Sequence, residues 1–269
     1  MQVSKSAYYA YASGLSYQLN ERELNYHLAV KRIFDFHKRR YGSLRIQADL
    51  RDEGIYLGLY KIRSIMRAQD LRAIQPKRFV PKTTQSHPHL RRSTNLLLLE
   101  GNLPKGPNEV YVGDITYLPC IIQGEQQWIY MAVWLDLFSR FIVGWFIDLT
   151  MEEHIITEAL QRAINRRQPS PGLIIHSDGG GQYGALKFRA LIGQHQFRQS
   201  MTRKDNHYDN AHIESLFSRL KAELLDEGIY SSLEDARLKM FDYIDAYYNT
   251  IRRHSAIGLI SPANFEKHL

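Results

Sequence analysis

Apolar residues recur at a helical period in the first part of the chain; from residue 109 alternating and continuous runs appear, interspersed with further helical periods. The period predicts a helix over 21–40, with Leu24, Leu28, Ile33 and Phe34 roughly on one side. It ends in the basic group His37-Lys38-Arg39-Arg40. Ser43 is placed to cap a second helix carrying Ile46 and Leu50, which Gly54 stops. A third starts near Gly58, with Leu59, Ile62, Ile65 and Met66 inward and Lys61, Arg63 and Arg67 outward. Residues 1–20 are weakly patterned. Strands are expected at 109–118, 128–136 and 141–147, turned by Gly124-Glu125 and Ser139-Arg140. Thr150 and Glu153 read as a capping box. The helix behind it buries Ile155, Ile156, Ala159, Leu160 and Ile164 and runs to 167, before Pro169 and Pro171. A buried strand at 173–177, a short helix at 185–195, a strand at 197–201 and helices over 210–225 and 233–250 complete the pattern.

The three early helices fit a helix-turn-helix unit that binds DNA, or a small bundle that only packs. The outward Lys61, Arg63 and Arg67 tip the balance slightly towards DNA. Residues 76–108 contain Pro76, Pro81, Pro88, Pro104 and Pro107 and keep no period, so they read as a basic linker, phosphate-tracking or a solvated tether. Three meandering strands followed by helix, strand, helix, strand and terminal helices is a ribonuclease H-like order. The expected class is therefore α/β: a ribonuclease H-like mixed five-stranded sheet with flanking helices, preceded by a small all-α, helix-turn-helix-like segment. The divisions are 1–75 for that segment, 76–108 for the linker and 109–269 for the ribonuclease H-like core with its C-terminal helical tail. In such a sheet the first and fourth strands are neighbours, and Asp114 and Asp178 face each other at its carboxyl side.

Lys and Arg number 35 against 28 Asp and Glu, a formal net charge of +7. That excess suits a polyanion such as nucleic acid, although charge alone is better explained by a merely basic soluble protein. The single cysteine, Cys120, excludes a disulfide framework and a Cys-rich zinc finger, and fits a reducing cytosol. No apolar run approaches the ~18 residues of a membrane span. The N-terminus lacks an apolar signal core. A cytoplasmic protein, associated with the nucleoid when bound to DNA, is expected.

The candidate chemistry is acidic. Asp114 lies inside an apolar strand, where an unpaired charge is costly and calls for a metal, a basic partner or solvent. Asp178 ends the run Leu173-Ile174-Ile175 and opens into Gly179-Gly180-Gly181, which leaves room for a large ligand. Glu214 lies on the margin of a helical stripe made by Ile213, Leu216, Phe217, Leu220 and Leu224, with Lys221 two turns on along the same face. A Glu-Lys surface pair is the plain alternative for those two. The spacing of the acidic residues is weak evidence; their settings suggest one cluster holding divalent ions. Carboxylates suit Mg²⁺, and two ions about 4 Å apart would activate the attacking oxygen and stabilise the leaving one in phosphodiester chemistry.

Other polar residues have plainer readings. Asp136 pairs with Arg140 or caps the turn rather than serving as a fourth ligand. His176 is either an outer group or a packed strand-end histidine. His87 and His89 make a poor zinc site in a linker, Asp205, His207 and Asp209 are loop polar groups, and Ser177 and Cys120 lack a nucleophile's setting. Tyr247 and Tyr248 beside Arg252, Arg253 and His254 suit DNA contact, with arginines on a solvated helix end as the alternative.

The motifs Gly113-Asp114-Ile115-Thr116-Tyr117, Leu135-Asp136-Leu137-Phe138-Ser139-Arg140, His176-Ser177-Asp178, Gln182-Tyr183, Asp209-Asn210-Ala211, Glu214-Ser215 and Leu220-Lys221 occur in this order. With Tyr248-Asn249, Arg252-Arg253-His254-Ser255 and Ser261-Pro262, they resemble the OrfB part of bacterial transposases of the family named for insertion sequence three. That family lies within the DDE transposase and retroviral integrase superfamily. The resemblance runs from about residue 20 to the end. It implies Asp114, Asp178 and Glu214 as catalytic metal ligands. It implies Mg²⁺-dependent cleavage at element ends and strand transfer into target DNA, with two ions in the active complex and Mn²⁺ able to substitute. Expected DNA contacts are Lys221, Lys204, Arg252, Arg253, His254, Lys61, Arg63 and Arg67. Expected partners are double-stranded DNA, further copies of the chain assembled on it, and an upstream OrfA joined by frameshifting. With no sustained heptads and no upstream segment, the chain is expected to be incomplete as a working transposase. Tyr111 stands where the family usually has Trp, and Asp205 and His207 stand where Gly and Cys are common. Two alternatives are a non-catalytic DNA-binding regulator and a plain ribonuclease H-like nuclease.

Overall fold

Helical spacing builds the first unit of the chain, Met1–Ile74, and strand spacing the second, Gln75–Leu269. The computed structural model describes residues 4–14, 19–76, 93–99, 101–122, 124–203, 211–225 and 228–269. In the first unit α1 (Lys5–Ala12) forms where the sequence showed little pattern, and its Tyr8, Tyr9 and Tyr11 stay exposed. The side chain of Asn20 accepts from the Glu23 N–H at 2.8 Å and starts α2 (Glu21–Phe36). That helix packs through Tyr26, Val30, Ile33 and Phe34, whereas the expected Leu24 and Leu28 are exposed. Helices α3 (Ser43–Asp52) and α4 (Leu59–Ala68) close the core with Ile46, Leu50, Ile62, Ile65 and Met66. Gly42, not Ser43, holds the cap position of α3. His37, the first of the basic group that ends this helix, turns inward. It is buried, stacks on Tyr41 at 3.5 Å and hydrogen-bonds Asp49 at 2.7 Å.

The second unit is a five-stranded sheet in the order β3-β2-β1-β4-β5. Strands β1 (Val110–Ile122), β2 (Glu125–Asp136) and β3 (Ile142–Asp148) pair antiparallel. Strands β4 (Ile174–Ser177) and β5 (Arg198–Met201) join β1 in parallel. Helices α5 (Glu153–Arg167) and α6 (Leu186–Gln194) carry one core on the face of Tyr111, Trp134 and Ile175. Helices α7 (Ala211–Leu225) and α8 (Leu233–Phe241) carry the other, around Val112, Leu118, Met131 and Leu135. α5 lies so close to β3 that a Cβ on Gly144 would sit 2.2 Å from the Ala159 carbonyl. α9 (Pro262–Lys267) is capped by Ser261.

Three further expectations change. Thr150 and Glu153 do not form a capping box. Glu152 holds the cap position, and Glu153 accepts from the Phe188 N–H at 2.7 Å, fastening α5 to α6. The expected linker does not extend to 108, because Ser93 and Leu96 bond to Gln199 and Ser200 of β5 while Leu96 and Leu97 pack on the core. Residues 77–92 lie outside the described residues. The helix expected over 233–250 does not run through. After Phe241 it widens into π-helical turns over Asp242–Tyr248. This wide stretch turns Tyr243, Ile244 and Tyr248 inward together, and Asn249 follows them into the interior.

Candidate active site

The site is built where β1 passes the end of β4. β4 pairs with β1 only at Val110, Val112 and the residue between, so β1 runs on beyond its partner. Gly113 comes next, and it must be glycine: a Cβ there would lie 2.4 Å from the Trp134 ring. Trp134 is fixed by a bond to the Ile156 carbonyl at 3.2 Å and by stacking on Phe188. Asp114 then stands at the edge of this rigid stack. Asp178 follows the last residue of β4, and its Oδ1 accepts from the Gly180 N–H at 3.0 Å. A Cβ on Gly180 would meet that oxygen at 3.0 Å, so the glycine lets the loop close round the carboxylate.

Burial, and then the charge of Asp178, push the Asp114 carboxyl well above the usual carboxylate range; Glu214 adds to this. The Ile115 N–H and the Lys221 ammonium pull the other way. Lys221 is itself lowered by burial, against the attraction of Asp114. Glu214 stands exposed in the first turn of α7, at the margin of the Ile213, Leu216, Phe217 and Leu220 stripe. Among the described residues, no group of three or more His, Cys, Asp or Glu side chains is drawn together tightly enough to hold a metal ion. The expected acidic pocket is therefore incompletely gathered: Asp114 and Asp178 share a site, and Glu214 lies at its rim. The chemistry of the set still fits a hard cation. The ligands are carboxylate oxygens, and like charges crowd a buried carboxyl that a cation would relieve.

Tyr183 went unremarked in the sequence beyond its motif. Its hydroxyl is buried with no protein partner, and burial followed by the nearby Asp114 and Asp178 holds it far towards the neutral phenol. No pattern signals this, because a tyrosine after a glycine loop reads as core. An unpaired buried hydroxyl stabilises nothing. Tyr183→Phe is thus expected to melt at the same temperature or slightly higher, by thermal denaturation. A loss above ~1 kcal/mol would reveal an unseen partner for the hydroxyl.

The remaining candidates divide. Asp136 caps the turn, accepting from the N–H groups of Asn108, Phe138 and Ser139 at 2.7, 2.9 and 3.0 Å. His176 is a packed strand-end histidine, fully buried and bonded to Ser200 Oγ at 2.8 Å. Arg252 is corrected outright. It is buried and forked onto Glu223 at 2.6 and 2.9 Å, so its guanidinium does not face DNA. Glu223 had given a signal, as a charge falling within the apolar stripe of α7. Arg253 is half-buried and donates to the Leu259 carbonyl at 2.7 Å. His254 packs edge-on to Tyr248. On α4, Arg63 and Arg67 are exposed and Lys61 pairs with Glu23. Lys204, Asp205, His207 and Asp209 lie outside the described residues. No described helix is long and apolar enough to cross a membrane.

Comparison with known proteins places these features. An HTH-like domain family matches residues 19–79, and integrase core domain families match residues 104–207 and 195–262. Transposase InsF for insertion sequence IS3A of Escherichia coli (strain K12) is 35% identical over 268 residues, covering 99% of this chain and 91% of that protein. The transposase for insertion sequence element IS904 of Lactococcus lactis subsp. lactis (strain IL1403) is 34% identical over 239 residues, covering 89% and 92%. Among solved structures, a simian T-cell lymphotropic virus intasome matches with 18% identity and a TM-score of 0.48, over 88% of this chain and 74% of that one. The HTLV-2 integrase catalytic core domain in complex with magnesium matches with 15% identity and a TM-score of 0.45, over 60% and 98%. With identity above one third along nearly its whole length, the chain belongs to the insertion-sequence-three family of transposases, with an integrase core domain.

Proposed function

We propose that this transposase cuts DNA at the ends of its element and joins those ends to target DNA in one acidic site, with Asp114, Asp178 and Glu214 as the metal ligands. The observation that carries the reading is the Asp114 carboxyl, buried beside Asp178 and within the field of Glu214 and Lys221. Two Mg²⁺ ions, replaceable by Mn²⁺, would supply Lewis acidity there. The chain's own groups do the rest. Asp114 is held rigid by the Gly113–Trp134 packing, Asp178 by its glycine loop, and Lys221 meets a phosphate oxygen. Water attacks first and a DNA 3′-hydroxyl afterwards, so no covalent protein nucleophile is required.

In this reading Arg63 and Arg67, with Lys61, lie on the DNA-facing side of α4, and Lys204, Arg253 and His254 also contact DNA. Further copies of the chain assemble on the DNA, and an OrfA segment acts as fusion or partner. The test is a joining assay on matched element ends with the chain alone and fused to OrfA. Joined product that requires Mg²⁺ or Mn²⁺ is expected. End binding without metal-dependent nicking in both forms would overturn the proposal.

A further inference from the structure

The face of β1 that carries Tyr111 and Ile115 belongs to the α5 core only that far. Beyond it Tyr117 is 41%, Ile121 43% and, on β2, Trp128 44% exposed. Tyr117 and Trp128 meet edge to face with ring centroids 5.0 Å apart. Trp128 is held opposite Pro119 by the β1–β2 register. Unlike singly exposed aromatics, these two touch each other on a rigid strand pair and make one apolar patch open to solvent.

Their surroundings say what covers them. The Lys221 ammonium stands 4.2 Å from the Tyr117 ring centroid, and the same ammonium acts on the Asp114 carboxyl. Tyr117 follows Asp114 by three residues, about 10 Å along the strand and on its other face, and Lys221 serves both round the edge of β1. On this edge β4 stops pairing at Val112, and the next bridge is that of Cys120 with Tyr230. Between them, among the described residues, no strand covers the edge of β1. A chain carrying one negative charge per unit and a flat ring beside each charge matches this sequence of groups: carboxylate site, ammonium, aromatic face. That chemistry is a nucleic acid strand with its bases unpaired.

We propose that Tyr117 and Trp128 form a stacking platform for unpaired bases of the DNA strand whose phosphate lies at Lys221, beside Asp114. The proposal rests on the proposed function for the strand's place at Asp114. Lys221 holds the backbone and the two rings hold the bases that follow, so the platform positions the strand end without touching the reacting phosphate.

The test is equilibrium binding of the full chain, without divalent metal and at fixed salt, to a labelled single-stranded oligonucleotide and to the duplex of the same sequence. Trp128→Ala is expected to weaken single-strand binding about tenfold while duplex binding stays within about twofold. Trp128→Phe is expected to restore most of the loss, and the melting temperature of both variants to stay unchanged. Unaltered single-strand affinity in Trp128→Ala would overturn the proposal, as would an equal fall in both affinities. A change in sedimentation with single-strand affinity intact would also overturn it, assigning the face to a second copy of the chain. Because this binding is read without catalysis, failure of the platform leaves the acidic site standing. Conversely, joining by Asp114→Asn would sink the acidic site without altering the binding result.

Discussion

Asp114→Asn is expected to abolish metal-dependent joining and, in the same protein, to raise its melting temperature at neutral pH. The two effects share one cause. The carboxyl is buried next to Asp178, and both burial and that neighbour disfavour its charge. Its pKa in the folded chain is therefore raised above the unfolded value. A raised carboxyl adds stability below the unfolded pKa of ~3.9 and loses it as pH rises through the folded pKa. At neutral pH the fold bears the cost of burying this carboxyl beside Asp178, which asparagine removes, worth roughly 2–4 °C for each kcal/mol relieved. Joining suffers in the opposite direction. A missing carboxylate ligand weakens ion-assisted stabilisation of the transition state by ~4 kcal/mol, on the order of a thousandfold in rate. Asp178→Asn and Glu214→Gln are expected to lose joining likewise, with end binding largely kept in each. Melting curves with and without Mg²⁺ at pH 6 and pH 8, alongside single-turnover joining, check the set. Unimpaired strand transfer by any of the three would remove that residue from the site.

The conflict between Asp114 and its surroundings is also why some of the candidate site was legible. A carboxylate inside Val112-Gly113-Asp114-Ile115 conflicts with its own strand, and one after Ile174-Ile175 conflicts with the loop it enters; local costs of that kind point to function. The first four strands were legible for a related reason, since Val, Ile and aromatic runs bounded by Gly, Ser and Pro leave few alternatives, whereas β5, Arg198-Gln199-Ser200-Met201, has no such run and was placed by its position after α6. What could not be read was set across the sheet. Glu153 satisfies the Caps rule locally, yet its side chain bonds to Phe188, thirty-five residues away, because α6 docks there. Leu24 and Leu28 keep a helical period, but the face opposite α3 and α4 is that of Val30 and Ile33. Glu214 was legible as a helix-margin acid. How far it stands from Asp114 depends on tertiary placement, which no period encodes.

Arg252→Met is expected to cost ~3–5 kcal/mol of stability, more than any surface substitution in the chain, while leaving the salt dependence of DNA binding unchanged. Its place beside Tyr247 and Tyr248 at a helix end suggested DNA contact, with a solvated helix end as the alternative. The structure shows the reason it turned inward: Glu223 lies on the buried stripe of α7 and requires a partner. Arg252 answers it with two bonds, and the Tyr243 hydroxyl donates a third to Glu223 at 2.7 Å. Asn249 adds the neighbouring clamp, accepting from the Ile142 N–H at 2.9 Å and donating to its carbonyl at 3.1 Å. The C-terminal segment is thereby sewn to β3 and α7, and the π-helical turns bring Tyr243 and Asn249 to the same interior. Removing the guanidinium strands a carboxylate in the core, and the cost follows from the stranded charge rather than from the lost contact. Two consequences separate this account from a DNA role. The loss in Arg252→Met shrinks as pH falls, because the orphaned Glu223 takes up a proton and folds as a neutral acid. Glu223→Leu combined with Arg252→Met regains most of the stability, since no buried charge is left unmatched. Urea denaturation at pH 5 and pH 8 reads both. If the single variant is as stable as the parent, or the double variant is no better than the single, the pair does not hold the C-terminal segment.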